Sequence, residues 1–268
     1  MYLLNPFIMR RIFLPRLDYP FEKDVDKAVF SSSPSVDPNC AVLILFNVCL
    51  VAFYKLADKS WTILCRNDLF YPAFSDALFF KDQFYVVDDY GKIYTCNLDH
   101  RGLEEVFPQW SDETKILDKW YLVELKGEIY RVRRRSSSNV GFYYNVTDDF
   151  EDNWDFGKRD SLVSTWEFRV WKMDPNKECW IRVRHLGDYA LFLGCNNPVA
   201  ISELDVSGIK GNRIYFTDDR QRTKHFGFIW PGKDMGIFDL GDSSFKPLCW
   251  TQCEWSTHPP AVWVTPFP

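Results

Sequence analysis

Phe84-Tyr-Val-Val-Asp-Asp-Tyr-Gly-Lys-Ile-Tyr94 returns further along the chain as Trp120-Tyr-Leu-Val-Glu-Leu-Lys-Gly-Glu-Ile-Tyr130. Tyr85 aligns with Tyr121, Val87 with Val123, Gly91 with Gly127, Ile93 with Ile129 and Tyr94 with Tyr130. Each copy reads as strand, glycine-containing turn, strand: a β-hairpin of β-branched and aromatic residues. A hairpin repeated in tandem predicts a radial or stacked β architecture.

A second unit recurs around this one. Val51–Leu56 leads through a polar turn to Lys59–Ile63, and Tyr94–Leu98 through Asp99–Gly102 to Leu103–Val106. Phe168–Met173 leads through Asp174-Pro-Asn176 to Lys177–Val183, and Met235–Leu240 through Gly241-Asp242 to Ser244–Leu248. This is the pattern of the outer hairpin of a propeller blade. A blade is covered on both faces by its neighbours, so its inner strands can be apolar throughout. Phe79-Phe80, Phe84–Val87, Ala190–Leu193 and Ile214–Phe216 behave so. At about 40–50 residues per blade, residues 1–268 are expected to form one all-β, kelch-like β-propeller of about five or six blades. Ring closure is expected to pair residues 2–15 with a last strand at Val262–Thr265.

Composition agrees. Aromatic residues are 18% of the chain, a load that packs well between sheets. The net charge of -5 offers no general attraction to phosphate backbones, so nucleic acid is not an expected partner. The best apolar run, Ala41 to Tyr54, is broken by Asn47 and falls short of the roughly 20 residues of a membrane span, so no membrane partner is expected. The eight cysteines are dispersed, which favours reduced thiols and a cytoplasmic or nuclear protein over a disulfide scaffold. Arg10, Arg11 and Arg16, with no acid before Asp18, leave mitochondrial or plastid targeting open as the minor alternative, against Pro6 and Pro15.

No catalytic, cofactor-binding or metal residue is assigned. His100, His185, His225 and His258 share no ligand spacing, and Cys249 with Cys253 and His258 lacks a matched second pair for zinc. Gly208-Ile-Lys-Gly211 has no phosphate-loop context. Asp88-Asp89 and Asp218-Asp219 are adjacent carboxylates, and such pairs more often close turns. Trp61 and Trp180 hold equivalent positions in the outer-hairpin repeat and are expected to pack between blades rather than bind a ligand. Arg131, Arg133, Arg134 and Arg135 are expected at a solvated strand end. Residues 134–164, with five acids in Asp148-Asp-Phe-Glu-Asp-Asn-Trp-Asp155, read as a flexible acidic loop inserted between the inner and outer hairpins of one blade. Its aromatic residues make partner binding the functional alternative. Asn145-Val-Thr147 fits a glycosylation acceptor by chance, and the Asp spacing is not that of a calcium loop.

Leu3–Phe7 with Arg11–Pro15, Asp58–Trp61, Leu78–Asp88, Gly91–Tyr94, Leu186–Gly194, Gly211–Asp219, Asp234–Leu240 and Pro260–Pro266 together resemble the plant F-box-associated, KIB-type β-propeller domain. The resemblance covers nearly the whole chain. It implies a plant source, a propeller fold and a non-enzymatic protein-binding role, as a substrate-recognition or regulatory adaptor; some family members are linked to signalling kinases. Many members carry an N-terminal F-box that docks on the Skp1 adaptor of ubiquitin ligases. This chain opens at the propeller-like segment, so no F-box and no Skp1 binding are expected. Its alternatives are a propeller-only adaptor, a truncated piece of an F-box ubiquitin-ligase subunit, or an organellar propeller. A sugar-binding or enzymatic propeller is supported by the aromatic residues alone.

Overall fold

The structure is a computed structural model that describes residues 2–5, 9–17, 25–46, 50–66, 73–97, 102–106, 118–138, 163–219, 234–247 and 263. Every regular element among them is a strand. Among the described residues no helix is long and apolar enough to cross a membrane.

The chain opens with a ribbon, β1 (Tyr2–Asn5) paired antiparallel to β2 (Arg10–Phe13). Four blades follow. Blade 1 is β3 (Val25–Phe30), β4 (Ala41–Phe46), β5 (Leu50–Lys55) and β6 (Thr62–Arg66). Blade 2 is β7 (Phe74–Phe80), β8 (Gln83–Asp88), β9 (Ile93–Asn97) and β10 (Gly102–Val106). Blade 3 is β11 (Lys119–Leu125), β12 (Glu128–Ser138), β13 (Val163–Asp174) and β14 (Cys179–Val183). Each is a four-stranded antiparallel meander.

Blade 4 departs from the meander. β15 (Tyr189–Leu193) and β16 (Val199–Ser202) form a hairpin, and the chain then crosses to the far side of β15. There β17 (Arg213–Phe216) pairs with β15 in parallel, followed by β18 (Gly236–Asp239) and β19 (Phe245–Pro247). The sheet order is β16-β15-β17-β18-β19. The turn at Gly208–Gly211 lies in this crossing, where a Cβ on Gly211 would strike the backbone of Asp188 at 2.7 Å.

Among the described residues there are thus four blades rather than five or six. β3, β7 and β11 begin at Val25, Phe74 and Lys119, close to the expected period. Blades 3 and 4 consume more chain, because one holds the excursion between β12 and β13 and the other the parallel crossing. That excursion falls between the inner and outer hairpins, but it is shorter than residues 134–164. β12 runs to Ser138 and β13 starts at Val163, while residues 139–162, with the acidic run and Asn145, lie outside the described residues.

All four outer-hairpin repeats land as read, on β5–β6, β9–β10, β13–β14 and β18–β19. The repeat centred on Gly91 and Gly127 does not superpose two equivalent hairpins. Trp120–Tyr130 spans β11–β12, the first two strands of its blade, whereas Phe84–Tyr94 spans β8–β9, the second and third. The counterpart of β11–β12 is β7–β8. Its turn at Lys81-Asp82 (φ 47° and 60°) matches Lys126-Gly127 (φ 54° and 71°), both with the paired positive φ of a type I′ turn. Inner strands are buried on both sides wherever they fall in a blade, so the same apolar pattern serves different positions.

Core packing follows from that double burial. Leu43 and Leu45 of β4 point into the layer shared with Phe74, Phe84 and Val86 of blade 2. Val42, Ile44 and Phe46 point the other way, against Leu3 and Leu17 of the N-terminal segment and Trp61. A second layer sets Val87 and Ile93 of blade 2 against Trp120, Leu122 and Trp171 of blade 3. A third sets Tyr121, Val132, Phe168 and Val170 against Leu191, Leu193, Ile214 and Phe238 of blade 4. Each large apolar side chain so enclosed contributes about 1.5–3 kcal/mol.

The expected closure through Val262–Thr265 lies outside the described residues except at Trp263. That indole donates to Leu193 O at 2.9 Å and sits edge-on to Phe192, on blade 4. Residues 2–5 and 10–13 pair with each other.

Candidate functional site

Four blades converge on an axial cavity of about 130 Å³, room for a few waters. Asp26 and Lys27 enter from blade 1, Ser75 and Asp76 from blade 2, Lys119 and Tyr121 from blade 3, and Cys195 and Asp219 from blade 4. Two matching β-bulges aim the first four. The β3–β4 register skips Asp26 between Val25 and Lys27, and the β7–β8 register skips Ser75 between Phe74 and Asp76. An extra residue re-aims the side chains beside it, and here it turns Lys27 and Asp76 into the axis.

The charges there are spent on one another. Lys27 Nζ is 2.8 Å from Asp76 Oδ1 and donates to Asn196 O at 2.9 Å, linking blade 1 to blades 2 and 4. Asp76 Oδ2 accepts the Leu122 N–H at 2.9 Å, adding blade 3. On the other side Asp219 accepts from the Tyr121 hydroxyl at 2.7 Å and from Arg134 at 3.0 Å, with Lys119 Nζ 3.5 Å away.

Arg134 is the hub of this second group. Its Nε donates to Thr165 Oγ1 (2.7 Å) and its Nη1 to Tyr121 Oη (3.2 Å), Thr217 O (2.8 Å) and Asp219 Oδ1. Its Nη2 donates to Asp234 O and Oδ2, both at 3.0 Å. Burial alone would raise the Asp219 carboxyl, but Lys119, Arg134 and the Tyr121 hydroxyl outweigh it and hold that group below its ordinary range. Burial also opposes the Arg134 charge, and Tyr121, Asp219 and Asp234 more than offset it, so the guanidinium stays charged.

A second arginine cluster fills the seam between blades 2 and 3. Arg131 lies among Trp120, Trp171 and Trp180, closest to Trp180 at 4.3 Å from the ring centre, and donates to Gly91 O at 2.7 Å. Arg133 pairs with Asp118 at 2.9 Å, and Trp120 Nε1 donates to Asp89 O at 3.2 Å. Stacking a guanidinium on indole rings is favourable once water is excluded.

The arginine run is therefore not a solvated strand end: Arg131, Arg133 and Arg134 are each 1% exposed. Hydropathy assigns arginines to the surface, but every one of these meets a carboxylate, a carbonyl or an aromatic face. Trp180 and Trp61 do pack within the fold. Trp61 donates to Pro15 O at 3.0 Å and leans on Tyr54, pinning the N-terminal segment to blade 1. Asp88 closes its turn by accepting Tyr90 N and Lys92 N, each at 2.9 Å. Asp219 does not behave as a turn closer; it is a blade-to-blade ligand. Lys27, Asp76, Lys119 and Asp234 were not singled out from the sequence. The available signal was a charged residue at the head of an otherwise apolar strand, as in Val25-Asp-Lys-Ala-Val-Phe30.

Cys195, the thiol at the cavity, is pushed upward by burial and by Asp219, which disfavours the nucleophilic thiolate. Among the described residues no group of His, Cys, Asp and Glu could hold a metal ion. Cys249, Cys253 and His258 lie outside the described residues.

A ring of four β-sheet blades stitched by charges about a polar axis is a β-propeller. More narrowly, the chain belongs to the KIB1-4 beta-propeller family, whose model matches residues 1–239. It is 25% identical over 223 residues to the F-box protein SKIP23 of Arabidopsis thaliana, an alignment covering 80% of this chain and 51% of that one. It is 26% identical over 277 residues to the putative F-box protein At4g17565 of the same plant, covering 92% and 62%. To F-box protein At2g05970 it is 33% identical over 101 residues, covering 38% and 25%. No solved structure matches the chain significantly. The chain spans about half the length of the curated relatives aligned over most of it.

Proposed function

We propose that this propeller is a non-enzymatic protein-interaction module, a substrate-recognition or regulatory adaptor related to plant F-box proteins. The observation that carries the reading is the saturation of the axis. Lys27 pairs with Asp76, and Asp219 with Tyr121 and Arg134, each across a blade boundary, so the centre that serves catalysis in an enzymatic propeller serves rigidity here. A rigid ring holds its outer loops and edges in fixed places. A protein partner can then meet several of them without the entropy cost of ordering them first.

The test is capture of partners by the tagged chain from plant extract, with an unrelated propeller as control and mass spectrometry as readout. A reproducible partner that binds the purified chain directly is the expected result. Kinases or other regulatory proteins without Skp1 would define a regulatory adaptor, and Skp1 among them would define a ubiquitin-ligase subunit. A partner list no different from the control, together with turnover in a panel of glycoside and ester substrates, would overturn the reading.

A further inference from the structure

The ribbon β1–β2 presents two different faces. Side chains alternate across a strand, and here the alternation separates core from solvent. Leu3 packs against Val42, Ile44 and Phe46 of blade 1, Leu14 is buried just beyond the ribbon, and the Trp61–Pro15 bond fixes its exit. On the other face Tyr2 and Phe13 are register partners with ring centres 6.2 Å apart, and Phe13 is 77% exposed. The Arg11 guanidinium lies over the Tyr2 ring at 5.3 Å. Arg10 donates to Ser35 O at 2.7 Å, which sets Val36, 80% exposed, beside the ribbon. Met9, at the ribbon's turn, is also exposed.

The segment that carries this face is basic. Residues 1–17 carry Arg10, Arg11 and Arg16 and no acid, in a chain whose net charge is -5. Among the described residues no carboxylate pairs with any of the three. Exposed rings beside arginines are the combination that anchors protein interfaces. A guanidinium also offers a planar fork that meets a carboxylate with two hydrogen bonds.

We infer that the outer face of the β1–β2 ribbon is a docking surface for an acidic protein segment, one whose carboxylates flank an aromatic or aliphatic side chain. A carboxylate meets Arg11, which shares this face with Tyr2 and Phe13, and the apolar side chain lies on the two rings; Arg10, on the Leu3 face of the ribbon, holds Ser35. A protein segment fits better than a lipid surface, which takes a long apolar strip edged with many cations; this face has two rings and a methionine on the ribbon, with a valine beside it. The inference rests on reading the propeller as an interaction module and adds to it the place and the chemistry of contact.

The test is fluorescence anisotropy with the intact chain. The probe is a fluorescein-labelled peptide in which glutamates flank two phenylalanines. Its controls replace every glutamate by lysine or every phenylalanine by serine. Saturable binding in about the micromolar range is expected for the acidic aromatic peptide. Binding should weaken about tenfold or more for either control, and several-fold as salt rises from about 50 to about 500 mM. Arg11→Glu and Phe13→Ser should each weaken it about tenfold with unchanged thermal unfolding, since both side chains are exposed. Lys177→Glu, a charge reversal on the β13–β14 turn, should leave it unchanged. Equal binding of the lysine peptide, or indifference to Arg11→Glu and Phe13→Ser, would overturn the inference. So would capture by phosphatidylserine vesicles without peptide binding, which would mean a lipid surface. A dimer dissolved by Phe13→Ser without peptide binding would equally overturn it, and would mean a second copy. If both variants still captured every partner of the parent chain, the ribbon assignment would fail while the adaptor reading stood.

Discussion

Replacing Arg134 by methionine tests whether the blades are joined at the axis by charge. The side chain is buried, bonds to blade 3 through Tyr121 and Thr165, to blade 4 through Thr217 and Asp219, and to Asp234. Methionine keeps the contacts of the stem with Phe168 and Phe216, whose rings now lie near the guanidinium, and removes every polar bond. Asp219 then loses its closest cation while keeping the Tyr121 hydroxyl and the looser Lys119 ammonium, and Asp234 loses its charged partner while keeping its bonds to Thr165. Leaving a buried charge without its partner costs about 3–5 kcal/mol. For a chain of this size each kcal/mol lowers the unfolding temperature by about 2–4 °C, so a drop of about 10 °C is expected. Urea unfolding followed by tryptophan fluorescence reads the same loss as a shift in midpoint with little change in slope.

Adding Asp219→Asn removes the orphaned charge. The double variant should be more stable than the sum of the single losses by about 1–2 kcal/mol, the size of coupling found between neighbours in one network. A loss below about 1 kcal/mol for Arg134→Met, or strict additivity with Asp219→Asn, would refute the reasoning. Either result would mean that apolar packing between blades holds the ring without help.

Gly91 and Gly127 both sit at positive φ, +79° and +71°, but only Gly91 faces a wall: an added Cβ would lie 2.5 Å from the Trp120 ring, whereas nothing lies within 4 Å at Gly127. Gly127→Ala should cost about 1 kcal/mol of backbone strain and Gly91→Ala about 3 kcal/mol, and equal melting temperatures for the two would contradict the packing of Trp120 in the blade 2–blade 3 seam. Asp89, in the same seam, has its carboxyl pushed up from 3.8 to about 6 by burial and by the neighbouring Asp88. The folded protein therefore holds that proton more tightly than the unfolded chain, and stability should fall as pH rises from about 4 to about 6, then level off. With allowance for partial solvent screening, Asp89→Asn should gain about 1–2 kcal/mol at pH 7.5 and almost nothing at pH 4. A parallel pH profile in parent and variant would remove Asp89 as the source.

The outer hairpins were legible because their signal is local. Phe168–Val183 and Met235–Leu248 each carry an apolar strand end, a polar turn and a returning strand within about 16 residues. Position within a blade was not legible, because Phe84–Tyr94 and Trp120–Tyr130 satisfy the same requirement at different places. The axial site was hidden for another reason. Lys27 and Asp76 become partners only because bulges at Asp26 and Ser75 rotate two strands from different blades toward each other, and a bulge is set by the opposing strand. Arg131, Arg133 and Arg134 were misplaced because burial of an arginine depends on what surrounds it. Their partners, Gly91, Asp118, Trp180, Asp219 and Asp234, are scattered along the chain. The parallel pairing of β17 with β15 likewise depends on the crossing at residues 203–212, whose sequence reads only as a polar turn.

The placement of charge in this molecule separates stability from recognition. The buried cations Lys27 and Arg134 are matched across blades by Asp76, Asp219 and Asp234, and Arg133 within blade 3 by Asp118, so they contribute to holding the ring together and little to the field outside. Arg10 and Arg11 sit on a ribbon tied to blade 1 through Leu3 and Trp61, on the far side of that blade from its blade 2 core. Arg134 itself bonds to Tyr121, Thr165, Thr217, Asp219 and Asp234, away from that ribbon. Arg134→Met should therefore lower the amount of folded chain while leaving the affinity of what remains folded unchanged, and Arg11→Glu should do the reverse. A propeller built this way can alter its contact surface by exposed substitution without disturbing the interactions that close its ring. That independence suits an adaptor, whose fold must persist while its partner varies.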